Sequence, residues 1–446
     1  MQHLYYLKKE HLRPTETIHP CAVGFYIRVR QLQRFADDAR KFSERGLFMN
    51  GTQKVIDVVN RVSAANYKPL PVVLSHGEGI WVTDIDGKKY MDMLAAYSSL
   101  NQGHRHPKII KALKEQSDKI TVTSRAFHND QMGDFLEKLC KMSGFSKSLP
   151  MNTGAEAVET CIKAARKWAN KTKGIEEGEI IVCADNFHGR TITAISFSSE
   201  PQYRDGFGPF TPGFVIVPFG DAKAIEAAVN EKTIAVFLEP IQGEAGVIVP
   251  PDGYLKEIRA ICDKNKILMM LDEVQTGFGR TGKFFAFEHE GIRPDVVAVG
   301  KALGGGVYPV SAMLSGDEVM AVFRPGDHGS TFGGNPLGAA VGKAALEVLE
   351  EERLTEKSYE LGKYFKNELE KMNSPLVKEI RGKGLMIGVE IKVEHGDARP
   401  YCEKLMEHGL LCKETHQQTI RFAPPLVITK DELDKALVEI RKVLLP

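Results

Sequence analysis

The chain has 446 residues, of which 43% are hydrophobic and 26% are charged. This length allows two or three domains with a sizeable core, and the composition is typical of a globular enzyme. The net charge of +1 offers no bulk attraction to nucleic acid or to an anionic membrane. The seven cysteines include no CxxC pair, which argues against a disulfide framework or a zinc site and favours a reducing, cytoplasmic location. No apolar run approaches the roughly 20 residues that a membrane span requires.

Residues 1–48 differ in charge from the rest of the chain, because Lys and Arg outnumber Asp and Glu there. Within them, Phe25–Phe42 has the pattern of an amphipathic helix. One interpretation is a targeting leader. We favour a plain extension, with the functional chain starting near Met49, because acidic residues interrupt the basic character. Removal of residues 1–48 is then expected to leave activity intact.

Strand and helix patterns alternate from about residue 101 to 335, after a segment (49–100) that we assign to the small domain and the substrate entrance. Strands that are apolar throughout and alternate with helices indicate a mainly parallel sheet covered on both faces. The sequence therefore predicts an α/β fold with a large domain over 101–335. The apolar runs are Ile180–Ala184, Phe214–Val217, Ala235–Leu238, Ile267–Leu271, Val296–Val299 and Pro309–Leu314.

The character of the chain changes after about residue 336. Two helical stretches, Leu337–Glu351 and Glu356–Lys371, precede a strand-like run at Gly384–Ile391. Another helix and strand follow, and a last helix begins near Lys430. This order predicts a smaller α+β domain over 336–446.

Lys301 and Asp272 each stand at the carboxyl end of an apolar run, about one crossover and one strand apart. Ligands bind at that edge of open α/β sheets. A lysine that holds pyridoxal 5'-phosphate needs such a pair, an amine for the aldehyde and an acid that faces the pyridine nitrogen. The simpler alternative, a surface lysine and a turn-capping aspartate, does not explain the position of both at strand ends.

A glycine turn opens an amphipathic helix at Asn152–Ala157. The exposed amides and the dipole of a helix N-terminus suit a phosphate group. The alternative is an ordinary N-cap by Asn152 or Thr153. The proximity of a cofactor lysine in the fold would favour the phosphate.

An aromatic residue and a cation follow the predicted strand Ile180–Ala184. Phe187 could stack on a cofactor ring, and Arg190 could hold a carboxylate with two hydrogen bonds. The alternatives are a core phenylalanine and a surface arginine. For His188 we favour a hydrogen-bonded structural histidine.

Two acids, Glu239 and Glu244, flank a turn at the end of another predicted strand. They could be solvated loop residues. If Glu244 is enclosed, it needs a cation, because an unpaired buried charge is costly. Arg421 is the candidate, since apolar and proline neighbours surround it in the sequence.

The segment His328–Pro336 combines small residues with two hydroxyl groups, those of Ser330 and Thr331. Such a loop can approach a phosphate closely. A hinge between domains is an alternative, and the two interpretations are compatible.

Together these five stretches resemble the class III aminotransferases of the aspartate-aminotransferase fold (fold type I), over about residues 55–446. Passages such as Asn66–Val72, Ala96–His104 and Arg421–Leu426 resemble in particular the bacterial ornithine δ-aminotransferases. The resemblance implies a large pyridoxal-phosphate-binding domain, a smaller α+β domain and a ping-pong transfer of an amino group.

The resemblance also implies roles for five residues around the cofactor ring. Lys301 would carry the cofactor, and Asp272 would face the pyridine nitrogen. Phe187 and Val274 would enclose the ring between them. Gln275 would bond the ring hydroxyl.

Four residues would hold the phosphate. Gly154 and Ala155 would offer their backbone amides. In this family, residues matching Ser330 and Thr331 reach the phosphate of the neighbouring subunit. That arrangement implies a homodimer with shared active sites. We expect no nucleic acid, membrane or metal to be involved.

Five further residues would bind the substrates, L-ornithine and 2-oxoglutarate. Tyr67, Tyr97 and Arg190 would hold ornithine so that its δ-amine reaches the cofactor. Glu244 would cover Arg421 during that half-reaction and release it when 2-oxoglutarate enters. Alternatives are another ω-aminotransferase, acting on acetylornithine or 4-aminobutyrate, or a regulatory pyridoxal-binding protein without turnover.

Overall fold

The computed structural model describes residues 51–445, so the predictions made for residues 1–48 lie outside it. Fifteen strands are described within this range. They are β1 Leu74–Glu78, β2 Trp81–Asp84, β3 Lys89–Asp92, β4 Lys147–Met151, β5 Glu179–Cys183, β6 Phe214–Val217, β7 Thr233–Leu238, β8 Leu268–Asp272, β9 Val296–Val299, β10 Ser311–Ser315, β11 Val377–Lys383, β12 Met386–Ile391, β13 Leu410–Leu411, β14 Lys413–Thr415 and β15 Thr419–Phe422.

The right-handed α-helices of the described residues surround and connect these strands. They are α1 Gly51–Val62, α2 Pro107–Ser117, α3 Met132–Ser143, α4 Gly154–Lys173, α5 Ile192–Ser196, α6 Pro201–Arg204, α7 Ala222–Ala228, α8 Tyr254–Asn265, α9 Asp317–Met320, α10 Pro336–Glu351, α11 Leu354–Lys371, α12 Arg399–Glu407 and α13 Lys430–Leu444. Short 3-10 helices occur at Ala286–Glu290, Lys301–Gly304 and Val393–His395. Within residues 51–445, every helix is too short or too polar to cross a bilayer.

The largest sheet has seven strands in the order β4-β10-β9-β8-β7-β5-β6. Strands β9, β8, β7, β5 and β6 pair in parallel, and β10 runs antiparallel to both of its neighbours. Every residue of β7 to β10 is buried, which is why these runs are apolar throughout. This architecture confirms the predicted α/β fold. The observed strands lie within about two residues of the predicted runs.

A second sheet is antiparallel and has the order β11-β12-β15-β14. It follows the two long helices α10 and α11, as predicted, and places Arg421 opposite Gly388. A third sheet has the order β1-β2-β3-β13. In it, β13 pairs in parallel with β3, so that Leu410 lies opposite Met91 and Leu411 opposite Asp92. The domain boundary that we set near residue 335 stays a prediction.

Residues 51–73 with 84–86 form one compact unit of the described chain, and residues 74–83 with 87–445 form another. In the first unit, none of the residues of α1 is buried, and the backbone N–H of Ile85 donates to the carbonyl of Val73 at 2.9 Å. The sheets, the core and the cavity described next belong to the second unit.

Candidate active site

A cavity of about 190 Å³ lies at the carboxyl edge of the seven-stranded sheet. The structure brings seven of the predicted cofactor residues to its wall, namely Gly154, Ala155, Phe187, Asp272, Val274, Gln275 and Lys301. A larger groove of about 830 Å³ between α3, β4 and α9 has no comparable pairing of a lysine with a buried acid. The chemistry of the lining, not the size of the space, therefore identifies the site.

Lys301 begins a 3-10 helix two residues after the end of β9. Its φ of 46° lies in the left-handed region, a strained conformation for a residue with a side chain. Burial lowers the pKa of its amine, although the nearby carboxylates of Glu244 and Asp272 act in the opposite direction. The environment therefore favours the uncharged amine, which is the nucleophilic form.

Asp272 ends β8, the strand next to β9. Its side chain is only 6% exposed, and Nδ1 of His188 lies 2.8 Å from its Oδ2. Its other oxygen accepts the backbone N–H of Val274 at 2.9 Å. His188 in turn stacks on Phe237, with ring centroids 4.4 Å apart. These contacts fix the carboxylate in the cavity wall.

His188 is therefore more than the structural histidine that we favoured from the sequence. It is hydrogen-bonded, as that interpretation required, but its partner is the acid on which the site depends. The sequence contained one usable signal, because His188 follows a strand at the same edge as Asp272 and Lys301. Which buried group it would contact depends on the order of the strands.

The amino end of α4 presents free backbone donors to the cavity. Thr153 and Glu156 form a capping box, in which each side chain accepts the backbone N–H of the other residue. This arrangement leaves the N–H groups of Gly154 and Ala155 without a partner among the described residues. A Cβ atom on Gly154 would lie 2.8 Å from Cγ1 of Val274, so any other residue there would force Val274 to shift. The prediction of a helix N-cap was correct, and the same cap leaves two donors for an anion.

Glu244 and Arg421 form an ion pair, with 2.7 Å between Nη1 and Oε1. Burial opposes ionisation of Glu244, but the adjacent guanidinium and the amide of Gln275 outweigh it and lower its pKa to about 2. Nη1 of Arg421 also donates to Oε1 of Gln275 at 3.1 Å, and the guanidinium lies 4.8 Å from the centre of the Tyr97 ring. The cation that we predicted for Glu244 is therefore Arg421.

Tyr97 stands in a left-handed turn, Ala95–Ser98, in which all four residues have positive φ. Such a turn costs roughly 1–2 kcal/mol per residue with a side chain. Oδ1 of Asp92 accepts the backbone N–H groups of Leu94 and Ala95, both at 2.9 Å, and so fixes the entry to the turn. The turn directs the phenol towards Arg421.

Arg190 is exposed, and its guanidinium lies close to two aromatic rings. Its central carbon lies 3.8 Å from the centre of the Tyr203 ring and 5.5 Å from that of Phe187. Tyr203 is a residue that we did not single out from the sequence. No periodicity or spacing marks it.

Glu239 is another residue whose position the sequence did not settle. It is buried and lines the cavity, so the alternative of a solvated loop residue is wrong for it. Burial raises its pKa to about 7, although hydrogen bonds from the backbone N–H groups of Phe187 (3.0 Å) and Gly243 (3.4 Å) favour ionisation.

Three further predicted residues lie outside the wall of this cavity, as do Tyr97, Arg190, Glu244 and Arg421. The hydroxyl of Ser330 accepts a hydrogen bond from the amide of Asn152 at 2.8 Å, and Thr331 is exposed. Tyr67 belongs to the smaller of the two units and is 78% exposed.

The aminotransferase class-III family model matches residues 62–444. The chain belongs to this family. An ornithine aminotransferase from Brevibacillus brevis is 58% identical over 398 residues, which cover 89% of this chain and 99% of that protein. An ornithine aminotransferase 2 from Staphylococcus saprophyticus is also 58% identical, over 89% of this chain and its own full length.

Solved structures of class-III aminotransferases and related proteins share the fold. The ornithine aminotransferase from Toxoplasma gondii superposes with a TM-score of 0.87 at 43% identity, over 90% of this chain and 97% of that one. The acetylornithine aminotransferase from Elizabethkingia anophelis superposes with a TM-score of 0.80 at 45% identity, over 89% of this chain and 99% of that one. Another structure of the Toxoplasma enzyme is described with pyridoxal phosphate at its active site. These findings confirm the predicted family, fold and cofactor.

This aminotransferase is a pyridoxal-phosphate-dependent enzyme, and the residues of its cavity fit that cofactor. The partly buried amine of Lys301 fits an aldehyde, and the fixed carboxylate of Asp272 fits a protonated ring nitrogen. The two free N–H groups at the amino end of α4 fit a phosphate. Phe187 and Val274 supply apolar walls for a flat ring.

Proposed function

We propose that this aminotransferase moves the δ-amino group of L-ornithine to 2-oxoglutarate and forms glutamate 5-semialdehyde and glutamate. The single observation that carries the proposal is the Glu244–Arg421 ion pair beside the cavity that contains Lys301. An enzyme with these two substrates must accept a cationic side chain and a dicarboxylate in one space. An arginine covered by a glutamate meets both needs.

In the ornithine half-reaction, Arg190 holds the α-carboxylate, and Tyr97 lines the path of the side chain. Glu244 neutralises Arg421, so no unpaired cation repels the ornithine amine. In the second half-reaction, Glu244 moves away and Arg421 binds the α-carboxylate of 2-oxoglutarate, while Arg190 takes the distal one. Glu244 is 27% exposed at its side chain, which leaves it room to leave the pair.

Pyridoxal phosphate, when bound, supplies an aldehyde and a ring that accepts the electron pair released when the substrate carbon loses its proton. Lys301 would hold the aldehyde of the cofactor, and its amine would carry the proton of the substrate carbon as general base and general acid. Asp272 keeps the ring nitrogen protonated, and His188 keeps Asp272 in place. Gln275 bonds both Glu244 and Arg421, and we assign it also to the ring hydroxyl.

The proposal includes a homodimer in the cytoplasm with shared active sites. The family resemblance supports it, because residues matching Ser330 and Thr331 reach the phosphate of the neighbouring subunit in that family. We assign Ser330 and Thr331 to the phosphate of the neighbouring subunit. The product cyclises to pyrroline-5-carboxylate and would link arginine breakdown with proline and glutamate.

Another ω-aminotransferase activity is the second candidate, on acetylornithine or 4-aminobutyrate. The 45% identity to the Elizabethkingia enzyme favours a test of acetylornithine. Tyr67 and Tyr97 favour ornithine over 4-aminobutyrate, because the 4-aminobutyrate enzymes of this family carry aliphatic residues at these positions. A regulatory pyridoxal-binding protein without turnover would not need Lys301, Asp272 and Arg190 together.

The decisive experiment compares the steady-state kinetics of ornithine, acetylornithine and 4-aminobutyrate as amino donors, with 2-oxoglutarate as the acceptor. We expect the highest kcat/KM for ornithine. A higher value for either of the other two donors would overturn the ornithine assignment. The variant Tyr97→Ile is expected to shift preference from ornithine towards 4-aminobutyrate, and an unchanged preference would remove the role of Tyr97.

A further inference from the structure

The guanidinium of Arg190 rests on the side chain of Tyr203. Its central carbon is 3.8 Å from the ring centre, well within the roughly 6 Å at which a cation is attracted to an aromatic face. A planar guanidinium stacked on a ring face keeps its N–H groups in its own plane, and they remain available to a carboxylate. No hydrogen bond or ion pair of Arg190 occurs within residues 51–445. The aromatic contacts are therefore what holds this guanidinium.

The ring of Tyr203 stands on an anchored support. It belongs to the short helix α6, whose first turn is capped by Glu200. The next residue, Arg204, donates to the backbone carbonyls of Ile195 and Ser198, both at 3.4 Å, and to that of Ser196. The ring also meets Phe187 edge to face, with centroids 6.0 Å apart and an angle of 79°. The support of Arg190 is thus connected to the aromatic wall of the cavity.

The ring, not the hydroxyl group, makes this contact. Burial raises the pKa of Tyr203 and outweighs the lowering by the Arg190 cation, so the phenol stays protonated at neutral pH. It is then no anionic partner for Arg190. Its hydroxyl makes no hydrogen bond among the described residues, so Tyr203 contacts Arg190 through a cation–π interaction.

We propose that Tyr203 is a positioning residue for carboxylate recognition: it holds the Arg190 guanidinium flat, so that its N–H edge meets the carboxylate of the substrate. Tyr203 itself touches no reacting atom. The inference rests on the proposed function, in which Arg190 binds the α-carboxylate of ornithine and the distal carboxylate of 2-oxoglutarate.

The test compares Tyr203→Leu with Tyr203→Phe in the holoenzyme. Leucine removes the π face, and phenylalanine keeps it and loses only the hydroxyl. We expect Tyr203→Leu to raise KM for both ornithine and 2-oxoglutarate about three- to tenfold, with little change in kcat, as for the loss of one partly exposed cation–π contact. Tyr203→Phe is expected to stay within about twofold of the wild type.

A second donor separates positioning from a general structural defect. 1,4-Diaminobutane has the same amine spacing as ornithine but no carboxylate. At saturating 2-oxoglutarate, its kinetic constants should be equal in the wild type and in Tyr203→Leu, since the diamine does not use Arg190. The melting temperature and the visible absorbance of the bound cofactor should also match the wild type.

Two results would overturn the proposal. One is an unchanged KM for ornithine and 2-oxoglutarate in Tyr203→Leu. The other is an equal rise in KM for 1,4-diaminobutane, which would indicate a general distortion. Failure of the wild type on ornithine would instead refute the proposed function. The role of Tyr203 would then be tested in the half-reaction of 2-oxoglutarate with the amino form of the enzyme. An unchanged KM for 2-oxoglutarate in Tyr203→Leu would refute that role.

Discussion

The two sides of the cavity are built in different ways. On the cofactor side, Asp272 and Lys301 stand at the ends of neighbouring parallel strands, and Gly154 and Ala155 begin one helix. On the substrate side, Glu244 and Arg421 are separated by 177 residues along the chain and meet only after the antiparallel sheet has formed.

The two sides also differ in how firmly their acids are held. Asp272 is 6% exposed at its side chain and accepts bonds from His188 and from the backbone of Val274. Glu244 is 27% exposed and depends on Arg421 and Gln275 for its partners. A fixed acid suits a charge that must stay in place throughout the cycle. A partly exposed acid suits a cover that must open for the second substrate.

The strongest test of the cofactor side is Lys301→Ala. Loss of the amine removes both the group that holds the cofactor and the one that carries the proton. We expect turnover to fall about a thousandfold or more, and borohydride reduction to leave no cofactor attached to the peptide Val299–Leu303. Attachment to another lysine in the wild type would contradict the assignment.

The variant Asp272→Asn is expected to have the next largest effect. An amide cannot balance a positive charge on the ring nitrogen, and its geometry is otherwise the same. We expect kcat to fall about 10²- to 10⁴-fold while the cofactor stays bound, which absorbance will report. Asp272→Glu keeps the charge and is the control. An asparagine variant with more than about a tenth of wild-type kcat would refute the role of the carboxylate.

Glu273, adjacent to Asp272 on the cofactor side, is expected to make the stability of the protein depend on pH. It is fully buried, and burial raises its pKa to about 7 from an ordinary 4.5. The native state then holds a proton that the unfolded state has lost, so the stability linked to Glu273 falls as pH rises from about 4.5 to about 7.

Glu273→Gln should remove that dependence, because an amide does not titrate. Between pH 5 and pH 8, the stability of the variant relative to the wild type should rise by up to roughly 3 kcal/mol. Denaturant unfolding at a series of pH values measures this difference. An equal pH dependence in both proteins would show that the carboxyl is ionised in the fold at neutral pH.

The substrate side should show the smallest but most selective effect. Glu244→Gln removes the charge that covers Arg421 and keeps the shape of the side chain. We expect kcat/KM for L-glutamate as amino donor to rise about five- to tenfold, since its α-carboxylate meets an uncovered arginine. Glu244→Asp keeps the charge and serves as control. A fall in kcat/KM for L-glutamate would contradict the role of a removable cover.

Much of the cofactor side could be predicted from the sequence because its signals are local. Apolar runs that end in Asp272 and Lys301 specify strand ends, and the turn at Thr153–Gly154 specifies a helix N-terminus. Parallel strands bring their carboxyl ends to one edge of the sheet. Residues at those ends therefore lie close together, regardless of the details of packing. The predicted Glu244–Arg421 pair needed one further argument, the high cost of an unpaired buried charge.

The contacts that were missed join distant segments. His188 meets Asp272 because β5 and β8 both flank β7, and the order of strands in a sheet is not written in any one of them. Tyr203 meets Arg190 because Arg204 fixes a short helix to carbonyl groups several residues away. The sequence by itself determined the family, the fold class and the cofactor chemistry, since these follow from local patterns and strand ends. Only the tertiary structure decided which side chains hold Asp272 and Arg190 in place, because such contacts form between parts of the chain that meet only when it folds.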